Sequence, residues 1–108
     1  MEYVQTMNMQ ELNGRDVNKV YMPSGEYSAS ALIDTGTGVV GAIVVTTDGV
    51  NDALCVVYDN TSAIGTVVAR CPVKAADQIG GMVIPFRVKN GIYATISGSG
   101  AKYQIYYL

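Results

Sequence analysis

The chain has 108 residues, of which 49% are hydrophobic and 15% charged. That is the length of one domain, and so apolar and sparsely charged a composition argues against disorder over most of it. The net charge is −2 and there is no His and no Trp, which excludes a Ser-His-Asp triad, a Cys-His dyad and an imidazole metal site.

Residues 1–18 read as an N-terminal arm or short helix ahead of a domain at 19–108. The arm is rich in Met, Gln and Asn, and Tyr3, Val4, Met7 and Leu12 give it a loose helical spacing before Asn13-Gly14. Its polar residues Glu2, Gln5, Thr6, Asn8 and Gln10 do not make the apolar core of a secretory signal. From about Lys19 onward, short runs of Val, Ile, Thr and Tyr alternate with clusters of Gly, Asp, Asn and Ser, the signature of strands and turns. A strand is predicted over Lys19–Met22, stopped by Pro23-Ser24-Gly25, and another over Glu26–Ile33. The turn Asp34–Gly38 leads to Val39–Thr47, whose almost unbroken apolar run suits a strand covered on both faces or at the centre of a sandwich. After the loop Asp48–Asp52 come strands over Ala53–Tyr58 and Gly65–Val73, joined by a turn at Asp59–Ile64. A polar connection over 74–80 follows. Met82–Val88 and Gly91–Ser97 read as a hairpin joined at Lys89-Asn90-Gly91, because Asn-Gly favours the positive φ angles of a tight hairpin turn. The last strand, Lys102–Leu108, places Tyr103, Ile105 and Tyr107 on one face and Gln104 and Tyr106 on the other. The expected fold is all-β: an antiparallel β-sandwich or jelly-roll-like small barrel of seven or eight strands spaced about 8–12 residues apart, with an N-terminal arm.

Candidate chemistry is sparse. The basic residues Arg15, Lys19, Arg70, Lys74, Arg87, Lys89 and Lys102 are scattered, whereas nucleic-acid binders cluster such charges against phosphates. The longest apolar stretch, Val39–Val45, is seven residues against about 20 for a membrane helix. Asp48, Asn51 and Asp52 share a loop but lack the alternate oxygens and closing Glu of a calcium-binding loop, so a solvated turn is expected. Asp34-Thr35-Gly36 is a single acidic triplet where proton-sharing catalysis needs two carboxylates. Gly98-Ser99-Gly100 is followed by neither a Lys-Ser pair nor a helix start, and so makes no phosphate cradle. Asn60-Thr61-Ser62 matches a glycosylation acceptor, relevant in a secretory setting alone. Cys55 and Cys71 read as buried reduced thiols, with a bridge between adjacent strands as the alternative. No catalytic residue, metal site or cofactor is expected.

An ordered set of segments resembles small virion proteins of tailed bacteriophages. The matching pieces are Gly41-Ala-Ile-Val-Val45, Val57-Tyr-Asp-Asn-Thr61, Gly65-Thr-Val-Val68, Pro85-Phe86, Asn90-Gly-Ile-Tyr-Ala-Thr-Ile-Ser-Gly98 and the closing Tyr103-Gln-Ile-Tyr-Tyr107. In such proteins an "LYD" strand runs into a turn, and a "GLYV-x-I-x-G" segment leads to a final "V-x-V-x-Y-Y" strand. The resemblance spans residues 38–108 and implies a capsid decoration (cement) protein: not an enzyme, located on the virion surface, made in the bacterial host cytoplasm. Its implied partners are the major capsid protein and copies of itself in a homotrimer, with no nucleic acid and no membrane. The arm departs from the family pattern, and Tyr3, Val4, Met7, Met9 and Leu12 are its candidate capsid or subunit contacts. The alternatives are a carbohydrate-binding β-sandwich module of a phage tail appendage, which requires exposed aromatic side chains in a row, or a tail or connector structural protein.

Overall fold

Period-2 alternation of apolar and polar side chains produces strands with one face fit for burial. The computed structural model describes residues 20–108. They form β1 (Met22–Pro23), β2 (Ala31–Thr35), β3 (Gly38–Thr46), β4 (Ala53–Tyr58), β5 (Val67–Val73), a 3-10 turn at Ala75–Asp77, β6 (Ile79–Val88), β7 (Gly91–Ser97) and β8 (Lys102–Tyr107). Two four-stranded antiparallel sheets result, in the orders β1-β8-β3-β6 and β2-β7-β4-β5.

The topology is that of one long hairpin rolled into two layers. β1 pairs with β8, β2 with β7, β3 with β6 and β4 with β5; the roll is closed by β3 pairing with β8 and β4 with β7. The β4–β5 connection stays within one sheet, and every other connection between successive strands passes to the opposite sheet. This is a jelly-roll sandwich, the more specific of the two architectures expected.

Inward-facing rows from both sheets make the core. Val40, Ile43 and Val45 of β3, Tyr103 and Ile105 of β8, and Val88 of β6 meet Cys55 and Val57 of β4, Cys71 and Val73 of β5, and Ile92 and Ala94 of β7. Tyr103 is the largest fully buried side chain. Its ring stacks on Tyr27 with centroids 5.7 Å apart, and its hydroxyl donates to the Ala29 carbonyl at 2.8 Å. The two backbones exchange hydrogen bonds of 2.9 Å.

Several strand expectations are corrected. The first strand is Met22–Pro23, later than predicted, and includes the proline; it is an edge strand, where the missing N–H costs no ladder bond. Glu26–Ile33 is not one strand. Tyr27 bridges to Tyr103 in one sheet, and β2 begins at Ala31 in the other. The chain changes layer between them, which local alternation does not record. β2 runs on to Thr35, so the following turn contracts to residues 36–37. Of the two placements expected for β3, the structure has the strand inside a sandwich sheet and not the one covered on both faces: its outward Val39 and Val44 remain half-exposed. β5 starts at Val67, and β6 starts at Ile79, inside the expected polar connection.

The Asn90-Gly91 hairpin is also overturned. β6 and β7 lie in different sheets, and the dipeptide turns the corner between them. Gly91 has φ 150°, and a Cβ there would stand 2.8 Å from the Asn60 carbonyl oxygen and 3.0 Å from that of Asp34. The glycine is thus required by a backbone crossing and not by a two-residue turn. Asp59, from the β4–β5 turn, holds the same corner. Its carboxylate accepts the Lys89 N–H at 3.0 Å and the Asn90 N–H at 2.8 Å.

Two substitutions test this corner. Gly91→Ala should destabilise the fold by about 2–3 kcal/mol through clash and strain. Asp59→Ala should cost about 1–3 kcal/mol by removing charge-assisted bonds, with Asp59→Asn intermediate. Urea denaturation of the purified chain reads both; an unchanged midpoint for Asp59→Ala would refute the carboxylate's role.

Candidate interaction surface

The polar groups that a sequence reader would inspect for chemistry are occupied in turns. Asp48 accepts the Val50 and Asn51 N–H groups at 2.8 Å each and the Asn51 side-chain amide at 3.0 Å. These donors, Asn51's backbone first, hold its carboxyl below the usual range. Its oxygens are therefore spent on N–H donors, as a solvated turn requires. Asp52 accepts the Ala75 N–H at 2.8 Å, and Asp34 accepts that of Thr35 at 2.9 Å. Asn60 accepts the Thr61 N–H at 2.7 Å and donates to the Ile64 carbonyl at 3.0 Å. The Gly98-Ser99-Gly100 turn is closed by the Ala101 N–H donating to the Gly98 carbonyl at 3.1 Å. Among the described residues no group of three or more His, Cys, Asp and Glu side chains is placed to hold a metal, and no helix is long and apolar enough to cross a membrane. A depression of about 250 Å³ beside the 3-10 turn is lined by Asp52, Ala53, Pro72, Val73, Lys74 and Asp77, a mixed-charge rim.

Cys55 and Cys71 are direct register partners on β4 and β5, both buried and both free thiols. Burial, and then the proximity of Cys71, push the Cys55 thiol up to about 12; burial also raises Cys71.

The distinctive surface is apolar. On the outer face of the β1-β8-β3-β6 sheet, Val83, Ala42, Tyr106 and Pro23 are successive register partners across all four strands. Val83 is 81% exposed and Ile79, on the same side of β6, is 61% exposed. Tyr21 lies over Gly41 on β3, so close that a Cβ there would fall 2.6 Å from its ring. On the outer face of the other sheet, Leu32, Tyr93, Tyr58 and Val67 form a second apolar row. Beside it Val56 is 6% exposed, although it faces away from the core side of β4 that carries Cys55 and Val57. The rows combine exposed Val83, Pro23 and Leu32 with half-buried Ala42, Tyr106, Tyr58, Tyr93 and Val67.

Among the described residues β6 is also a sheet edge, hydrogen-bonded on one side, to β3. A register shift opposite Val40/Ala42 leaves Ile84-Pro85 as the bulged step. From Ile79 to Val83 the register is unbroken, each residue opposite one of β3 from Thr46 back to Ala42. An open, regular, apolar edge is a template for pairing with a further strand.

Tyr103 and Tyr107 share one face of β8 as expected, and the structure turns that face to the core and Tyr106 outward. Among the described residues Tyr21 is the single aromatic more than a third exposed, while Tyr58 and Tyr93 are half-buried register partners. The candidate contacts Tyr3, Val4, Met7, Met9 and Leu12 lie outside the described residues, as does Lys19. Sequence reading missed the β6 edge because Ile79 fell in an expected polar connection and Val83 in an expected hairpin. The apolar run Met82–Phe86 was the signal available.

Comparison with known protein families, with curated proteins and with solved structures finds no match to this chain.

The buried thiols make two outcomes measurable. A thiol-specific reagent at pH 8 should react with native protein only as fast as it unfolds. An unfolded thiol ionises near 9, whereas Cys55 in the fold does so near 12. The unfolded state therefore releases protons first as pH rises, and the thiol's contribution to stability, level below about pH 9, should fall from there toward pH 12. Thermal melts across that range check the sign.

Proposed function

We propose that this chain is a structural subunit of a virion, a head decoration protein of a tailed bacteriophage that binds the capsid surface and copies of itself. The observation that carries this reading is the apolar row Val83–Ala42–Tyr106–Pro23 beside an open β6 edge. Such a surface stabilises an assembly by being covered, at roughly 25 cal/mol per Å² of apolar area removed from water. Jelly rolls recur in capsid and lectin domains, but a fold hosts many functions, so the reading rests on the surface and on the resemblance over residues 38–108. The sparse charge agrees with it, because large areas can be desolvated without stranding ions. The side chains at the turns serve the backbone, which suits a module whose work is to keep its shape.

A carbohydrate-binding role has one observation in its favour, the Tyr58–Tyr93 pair on an outer sheet face. It needs that pair to open further to solvent, since a sugar ring stacks on an exposed aromatic face.

Co-sedimentation with phage capsids stripped of accessory proteins tests the proposal. The chain should bind saturably and raise the temperature at which the capsids disrupt. Val83→Lys should weaken binding at least tenfold while leaving the melting temperature of the free chain within a few degrees. Absence of binding to capsids, together with glycan binding abolished by Tyr93→Ala, would establish the carbohydrate reading instead.

A further inference from the structure

We propose that β6 is a self-pairing strand: two copies join antiparallel along Ile79–Val83 about a two-fold axis through Gly81, making one continuous eight-stranded sheet. This rests on the reading of the chain as a self-associating structural subunit and names the contact.

The boundaries of the pairing run come from the edge itself. It starts at Ile79, just after the 3-10 turn Ala75–Asp77, and its regular register ends at Val83, before the bulged step at Ile84-Pro85. Pro85 has no N–H to offer a partner strand, and bulges close edges. The middle of the run is Gly81. An isologous antiparallel contact centred there pairs every residue of the run and sets Ile79 of each copy opposite Val83 of the other.

Ile79 and Val83 are the two exposed large hydrophobic side chains of the run, at 61% and 81%, and both point to the outer sheet face. Self-pairing thus places each against the other's partner, as a cross-strand aliphatic pair. Charge selects the same direction. The exposed Asp77 precedes the run and the exposed Arg87 follows it. Antiparallel pairing brings Asp77 of one copy toward Arg87 of the other, whereas parallel pairing aligns like with like. An edge pairs once, so this contact joins copies in twos. A trimer, as the resemblance implies, would use other surfaces.

The test uses the full-length chain without capsids, so its failure leaves capsid binding untouched as a separate result. Single variants Ile79→Cys and Val83→Cys are oxidised with diamide alone and as an equimolar mixture; the native Cys55 and Cys71 are buried. Opposite positions lie about 5 Å apart at Cβ, while identical positions are separated by four residues, about 13 Å. The mixture should give at least tenfold more cross-linked dimer than either variant alone. In sedimentation of the chain with its native cysteines, weight-average mass should rise with concentration toward twice the monomer. Val83→Lys should suppress that rise, and Arg87→Glu should weaken it at low salt, with Asp77→Lys/Arg87→Glu restoring it. Equal cross-linking in single variants and mixture, or a mass that stays monomeric up to millimolar concentration, overturns the proposal.

Discussion

The stack of Tyr103 on Tyr27 governs the layering of this protein. Tyr103 lies on β8 between the Tyr27 bridge and Val45 of β3. It buries the largest side chain of the core and pins the Ala29 carbonyl just before β2 departs for the other sheet. A buried phenol without a partner would lose a hydrogen bond made in water, so the crossover is held where the hydroxyl is satisfied. That crossover starts a roll in which nearly every later connection changes sheet.

The roll has a consequence for the outer surface. A sandwich covers one face of each sheet, yet this sequence carries apolar residues on both faces of β3 and β4. The inward residues make the core, and the outward Val44, Leu54, Val56, Tyr58, Tyr93 and Tyr106 are left half-exposed or mutually shielded. The hydrophobic fraction, high for a domain of this size, is therefore divided between one core and two outer faces. Few charged side chains interrupt those faces; Arg70, Arg87 and Lys102 stand among them. This distribution is unfavourable in an isolated chain and favourable in an assembly that removes it from water.

The edges are treated unequally. β1 is two residues long, and β2 carries a register shift between Leu32 and Asp34; both devices blunt an edge. β5 bears Arg70 and Pro72 on its exposed side. β6 protects its second half with the bulge and Pro85 but leaves Ile79–Val83 regular and uncharged. The difference between protected and open stretches is what makes β6 stand apart.

The sequence by itself determined the all-β class, the spans of β4 and β7, the division of β8 into two faces and the sites of most turns, because alternation and turn residues act over a few neighbours. It also set the composition, low in charge and without histidine, that turns attention from chemistry to surface. Tertiary structure alone decided that Asn90-Gly91 turns a corner between sheets, that Glu26–Ile33 is divided by a change of layer, and that Ile79 and Val83 lie on an open edge. Each of these depends on which strands meet across the roll. That choice is made by long-range burial and hydrogen-bond closure, and no local pattern encodes it.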